Sequence, residues 1–380
     1  VAATVATGLG TGPWGGPSTG PSADSDSLNQ LYVIYSDIAN YDIHLKTNNP
    51  NVNATPWATD ILLAGGSGLI HNTANRCHFG NLAVVGDVLY IAFSDIDSND
   101  IYVAKCSNID ACDVASNWTW LDGTNSGSAE LVASASTNPY GNMAVESSTS
   151  VVLIYVTDHN FAVVKCSYWN GSSWAVSSDL EPTRALAYQP IVRFDSSGYI
   201  HATYLASDGS TNNWINYTKS SNPRSVSSFP SPISLMNAIN ITRKNLGLIV
   251  TTNGKIFACG WGSTGGIKYN IYNGSSWTEG TSGALLASTA VVNFRVTMLE
   301  DLSGDVKGWF TNNTDFKRVD VDMAGYSVAV VTETPPAGAG NHAGGTTQSQ
   351  VNNDVFFYFN GTALYLEGAM PGVGILLLTT

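Results

Sequence analysis

Charge is what this sequence has least of. Only 12% of its residues are Asp, Glu, Lys or Arg, with 16 basic against 29 acidic. A long-helix or coiled-coil protein needs charged exposed faces, so that class is excluded. A nucleic-acid binder needs a basic surface to neutralise phosphates. The net charge of -13 argues against that partner and against anionic membrane surfaces. No apolar run approaches the roughly 20 residues of a membrane-spanning helix, so membrane insertion is not expected. The C-terminal apolar stretch 374–380 is only strand-length. There is no Cys-x-x-Cys pair and no His-x-x-x-His, which removes a structural zinc site; no metal is expected. Gly-x-Ser-x-Gly, P-loop and dinucleotide fingerprints are also missing. No segment longer than about ten residues carries the amphipathic period of a helix. The chain opens on Val1, and a cleaved signal peptide would leave no trace.

What fills the space instead is Ser, Thr, Asn and Gly, which favour turns and half-exposed strands. A short aromatic strand recurs at roughly 50-residue intervals. Its copies are LYVIYSD from Leu31, LYIAFSD from Leu89, VVLIYVTD from Val151, YIHATYLASD from Tyr199, KIFACGWGS from Lys255, VKGWFTNN from Val306 and VFFYFNG from Val355. Each alternates bulky apolar residues with small or polar ones, the period-two pattern of a strand. A second strand follows most copies, as in DIHLKT and DIYVAKCS. Another precedes several of them, as at 81–85 and 191–195. The unit is therefore four antiparallel strands, and such units repeated around an axis form a propeller. The fold class expected is all-β: a β-propeller of seven four-stranded blades, with six as the alternative.

The first blade is the weakest, because its innermost strand would fall at 22–27, which has no apolar alternation. Residues 1–26 read as a Gly/Pro/Ser/Thr-rich arm or linker and 27–380 as the propeller domain. The arm offers a tether to a larger assembly, and 1–7 a closing strand. The segment 335–349 reads as a second long loop. Cys106 and Cys112 close a short polar loop and are expected to form a local disulfide in an oxidising compartment.

Two segments, SYWNGSSW from Ser167 and NIYNGSSW from Asn270, resemble degenerate Asp-box (BNR) repeats of sialidase-like propellers. Ser167, Gly171 and Trp174 match the family spacing, but Trp169 stands at the Asp position. In the second copy Gly274 and Trp277 match and Tyr272 replaces the Asp. The resemblance implies a propeller with these segments at the turn between third and fourth strands. Residues 192–204 (VRFDSSGYIHATY) are similar to repeats of bacterial BNR-like and polysaccharide-lyase propellers. Sialidases carry an Arg-Ile-Pro segment and three carboxylate-clamping Arg. This chain has no Arg-Ile-Pro and seven Arg in all, so a sialidase is not indicated. One scaffold hosts many activities, so the resemblance supports fold rather than chemistry.

In a propeller the loops leading into the innermost strands open on one face near the axis, together with the hairpins between second and third strands. Ligand sites favour such concave mouths. The residues expected there are Arg76, His78, Phe79, Tyr140, Arg184, Tyr188, Gln189, Asn293 and Arg295, with Asp95 and Asp97 among the hairpin residues. Phe79, Tyr140 and Tyr188 align as one aromatic per blade. Their functional reading is stacking on sugar rings; their structural reading is walling the channel. Arg76, His78 and Tyr188 are the catalytic candidates: His78 as base beside a uronate carboxylate held by Arg76 would be lyase chemistry. His201, inside a strand, reads as a blade-face residue. No cofactor is expected. The spacing Asp95-Ile-Asp97-Ser-Asn-Asp100 leaves calcium open, but lacks the following Gly and Glu and reads better as a hairpin turn.

The leading expectation is a non-catalytic propeller, extracellular, at a cell surface or on a virion, that recognises glycans or protein partners. The alternatives are a polysaccharide lyase or glycoside hydrolase with its site on the axial face, and a structural subunit of a fibre, filament or capsid.

Overall fold

The computed structural model describes residues 3–6, 22–37, 42–72, 77–95, 97–98, 100–121, 133–134, 140–157, 163–183, 186–209, 212–238, 246–261, 266–279, 283–287, 295–301, 303–312, 315–333, 345–346, 356–360 and 363–367, some of them through the backbone alone. They form seven antiparallel sheets, six of four strands and one of five. Blade 1 runs through Ser22–Ser25, Leu31–Asp37, Asp42–Thr47 and Ile61–Ala64. Blade 2 comprises Cys77–Val85, Val88–Asp95 and Asp100–Cys106, with an outer strand split into Trp118–Trp120 and Ala133–Ser134. Blade 3 holds Tyr140–Ser147, Ser150–Val156, Val164–Trp169 and Trp174–Val176. Blade 4 holds Leu186–Phe194, Ile200–Ser207, Asn213–Lys219 and Ile233–Ala238. Blade 5 holds Gly247–Val250, Ile256–Trp261, Ile267–Tyr272 and Ala284–Ala287. Blade 6 holds Arg295–Glu300, Val306–Asn312, Asp315–Asp322 and Ser327–Glu333. Blade 7 holds Gly345–Thr346, Phe356–Asn360 and Ala363–Glu367, completed by Ala3–Ala6.

The innermost strands neighbour one another in chain order, and that of blade 7 returns to that of blade 1, so the ring is closed. Two strands in the expected arm correct the 1–26 boundary. Ala3–Ala6 pairs with Ala363–Glu367 and closes the last blade from the other end of the chain. Ser22–Ser25 is the innermost strand of blade 1. Its apolar alternation is missing because side-chain hydrogen bonds, not apolar packing, tie it to the next blade. Ser22 Oγ accepts the N–H of Leu82 at 2.9 Å, and Asp24 Oδ2 accepts that of Val84 at 2.8 Å. The 335–349 loop expectation lies mostly outside the described residues, which place Gly345–Thr346 in blade 7.

The same brace recurs. Asn81 Oδ1 accepts the Met143 N–H at 2.7 Å, and Asn142 Oδ1 accepts the Val192 N–H at 3.1 Å. Ser22, Asn81 and Asn142 sit opposite equivalent residues of their second strands, Ile34, Ala92 and Ile154. Gly141 precedes the brace because a Cβ there would lie 2.2 Å from the Ile154 carbonyl oxygen. In blade 4 the equivalent residue is Ile191, which packs instead against the apolar interface with blade 5.

Each blade interface that the described side chains define is an apolar core. Tyr32, Ile34 and Leu45 meet Leu82, Ile91 and Phe93 between blades 1 and 2. Tyr90 and Val103 meet Leu153 and Tyr155 between blades 2 and 3. Ile154 and Cys166 meet Val192 and Tyr204 between blades 3 and 4. Leu205 and Ile215 meet Leu248 and Ile256 between blades 4 and 5, and Phe257 and Ile271 meet Val306 and Val319 between blades 5 and 6. The second strands of blades 1 to 5 are thus buried on both faces, which is why they form the readable repeat. Turns from first to second strand reuse one device. Asp26, Asp195 and Asp301 each accept, through Oδ1, the N–H groups two and four residues on. Asn29, Gly198 and Gly304 take the left-handed conformation three residues on, at φ 61°, 83° and 83°.

The expected Cys106–Cys112 bridge is not formed; both are free thiols. They are drawn into the core between blades 1 and 2. The Cys106 thiol donates to the Asn108 carbonyl at 3.1 Å, and burial pushes it up to about 11. Among the described residues no helix is long and apolar enough to cross a membrane.

Candidate functional site at the axial mouth

The loops leading into the innermost strands and the hairpins between second and third strands share one end of each blade. In blade 2, Cys77 at the start of the innermost strand lies opposite Asp95 at the end of the second. The described site is built there. Asp95 Oδ1 accepts the N–H groups of Asp97 and Ser98 at 2.9 and 3.2 Å, which fixes the hairpin. This is the turn role, with the carboxylate spent on backbone amides. Asp95 Oδ2 lies 3.2 Å from His71 Nε2. A carboxylate only accepts, so this contact places the proton on Nε2. Side-chain exposure is 10% at His71 and 1% at Asp95, so the pair is buried at this end of the interface between blades 1 and 2, with His71 beside the outer strand Ile61–Ala64.

Packing explains its rigidity. The His71 ring lies 4.9 Å from the Tyr102 ring and 5.6 Å from Phe93, and Trp120 packs behind both at 5.7 and 6.1 Å. The backbone holds His71 as well: its N–H donates to the Leu63 carbonyl, and its own carbonyl accepts from Gly65. Gly65, at φ 133°, leaves no room for a side chain beside Asp42.

The residues expected from sequence reach this mouth unevenly. Arg76, Arg184 and Asn293 lie outside the described residues. His78, Phe79, Tyr140, Tyr188 and Arg295 are placed on innermost strands through their backbone. The one-aromatic-per-blade alignment is corrected at Phe79. A register irregularity between His78 and Gly80 makes Phe79 the extra residue of a bulge. His78, opposite Ser94, therefore takes the place that Tyr140 and Tyr188 take opposite Val156 and Leu205. Gln189 falls at a second irregularity and is left-handed, at φ 48°.

His71 was not among the expected residues, because the sequence around it carries no strand pattern. His201 is the blade-face residue expected. It is 2% exposed, with Nδ1 2.7 Å from the Tyr217 hydroxyl and Nε2 3.1 Å from Asp195. Burial pulls its pKa below the ordinary imidazole value. Lys219 also reaches Asp195, at 2.9 Å, and the hydrogen bonds from His201 and Lys219 hold the Asp195 carboxyl well below the usual range despite its burial. That network lies at the opposite end of blade 4, beside the turn from first to second strand.

The three Arg whose side chains are described are occupied structurally. Arg193 donates to Asn142 and to the Val192 carbonyl. Arg224 pairs with Glu146 and Arg318 with Asp320. None of these lies at the mouth of blade 2, where a carboxylate clamp would be needed. Both NGSSW segments do fall between third and fourth strands, with Asn170 and Asn273 accepting the following Ser N–H groups. Trp174 packs on Trp169 and Trp277 on Tyr272, so the aromatic at the Asp position is a packing partner.

No family model matches the chain, and no curated protein matches it. Among solved structures the chain is similar to a polysaccharide lyase of family PL25 described as an ulvan lyase, with TM-score 0.58, 11% identity, and 96% of this chain and 95% of that one covered. A second polysaccharide lyase, Uly1, gives 0.54 at 10% identity, covering 96% and 91%. A lectin of Aleuria aurantia in complex with Fucalpha1-6GlcNAc gives 0.50 at 12% identity, covering 77% and 91%. What they share with this chain is the propeller.

Proposed function

We propose that the protein is a carbohydrate-recognition propeller that binds neutral glycans at its axial mouth without cleaving them. The observation that carries this reading is the His71–Asp95 pair. It fixes the His71 ring, 10% exposed, between Asp95 and the Tyr102, Phe93 and Trp120 rings. Pre-set polar groups at a concave mouth suit the hydroxyls of a sugar. The acidic, weakly charged surface favours such a ligand over polyanions. The extracellular, cell-surface or virion location belongs to the same proposal. It rests on composition alone, since the Cys106–Cys112 bridge is not formed.

A second reading, a polysaccharide lyase, is favoured by one observation: a His oriented by a carboxylate stands at the mouth of the strand that carries His78. A general base needs such an orienting partner. A glycan array separates binding from its absence. Binding is expected with wild type, with signals about tenfold weaker in His71→Ala, the loss of one hydrogen-bonding group. An array with no bound glycan overturns the proposal.

A further inference from the structure

Every propeller exposes the outer edge of each blade, and an unpaired edge is a template for another strand. The blades of this chain blunt their edges in one of two ways. Blades 2 and 3 keep their outer strands to three residues or fewer per piece, at Trp118–Trp120, Ala133–Ser134 and Trp174–Val176. Blades 1, 4, 5 and 7 break the register of the outer pair, at Ile43/His44, Ile215/Asn216, Ile267/Lys268 and Thr4/Ala6. A break twists the edge away from any partner.

Blade 6 does neither. Its outer strand Ser327–Glu333 is seven residues long and pairs with Asp315–Asp322 in unbroken register from Ser327 to Glu333. Its sequence, SVAVVTE, has one charge and no proline. Val330 and Val331 are 38% and 37% exposed, and Ala329 is exposed beside them. Among the described residues no strand pairs with its outer side.

We propose that this edge is an interface between two copies of the chain, joined antiparallel through Ser327–Glu333 about a two-fold axis at Val330. The segment is self-complementary in that arrangement. Val330 faces its own copy, Ala329 faces Val331, Val328 faces Thr332, and Ser327 faces Glu333. The one charge therefore never opposes itself, and β-branched residues meet at the centre. Charge elsewhere opposes association, because each copy carries -13. Added salt screens that repulsion and tightens the dimer.

Sedimentation velocity of the full chain over a range of concentrations and two salt levels tests this. The expected result is a monomer–dimer equilibrium that shifts toward dimer with salt. Val330→Lys sets two ammonium groups face to face and raises the dimer dissociation constant more than about tenfold. Val176→Lys, on the short outer strand of blade 3, leaves it unchanged. Wild type monomeric at every concentration overturns the proposal. So does a dimer that survives Val330→Lys, or one that survives it but is lost when residues 368–380 are removed, which would assign contact to the tail. Should Val330→Lys fail to fold, amide hydrogen exchange of wild type decides: residues 327–333 gain protection as concentration rises, and no gain overturns the interface.

Discussion

Asn142 does two jobs with one oxygen. It accepts the Val192 N–H of the next innermost strand and the Arg193 guanidinium at 3.0 Å. Burial holds Arg193 down to about 10, still a cation at neutral pH, and a buried cation needs its acceptors. Asn142→Ala leaves a backbone donor and a cation unsatisfied and is expected to cost about 2–3 kcal/mol in urea denaturation. Asn142→Asp keeps the acceptor and is expected to retain most of the stability. Asp24 supplies the blade 1 counterpart from a site where burial pushes its carboxyl up to about 7. The folded chain then holds a proton that the unfolded chain releases. That contribution is full below the ordinary value of 3.8 and is lost as pH rises through about 7. Wild-type urea midpoints should fall across that window, and those of Asp24→Asn should not; equal slopes would contradict the assignment. Of these braces, the Gly-Asn pairs at 80–81 and 141–142 stand out in the sequence. Ser22 does not, because a hydroxyl serving as the same acceptor has no pattern of its own.

At the scale of elements, the second strands were legible because burial on both faces makes each an apolar run with aromatic spacing. Innermost strands were harder to read, because those of blades 1 to 3 are tied to the next blade by side-chain hydrogen bonds rather than by an apolar pattern. Ser22–Ser25 shows this most clearly. The site was legible as a face but not as a set of residues. Bulges at Phe79 and Gln189 shift the register by one, and no periodic pattern reports a bulge. His71 enters the mouth from a loop, where spacing carries no directional information. Closure by Ala3–Ala6 joins the two ends of the chain across one sheet. Removing residues 1–6 is expected to lower the melting temperature by on the order of 5 °C and to direct proteolysis to 345–367. An unchanged melt would mean that the ring does not need this strand.

For the whole molecule, seven blades close a ring, and the glycan mouth we propose lies at the end of blade 2 that carries the buried His71–Asp95 pair, on a chain of net charge -13. The account's central claim is recognition without turnover. The direct test titrates the intact protein with neutral polysaccharides by calorimetry, with a uronate polysaccharide as the polyanion expected to bind less, while the same mixtures are assayed for new reducing and unsaturated ends. The account predicts saturable binding that His71→Ala weakens about tenfold, the loss of one hydrogen-bonding group, and that Asp95→Asn, acting only through the orientation of His71, weakens less. It predicts no chain ends above the protein-free control. Chain ends that accumulate with wild type and vanish in His71→Ala would contradict it and establish a lyase or hydrolase at the same mouth.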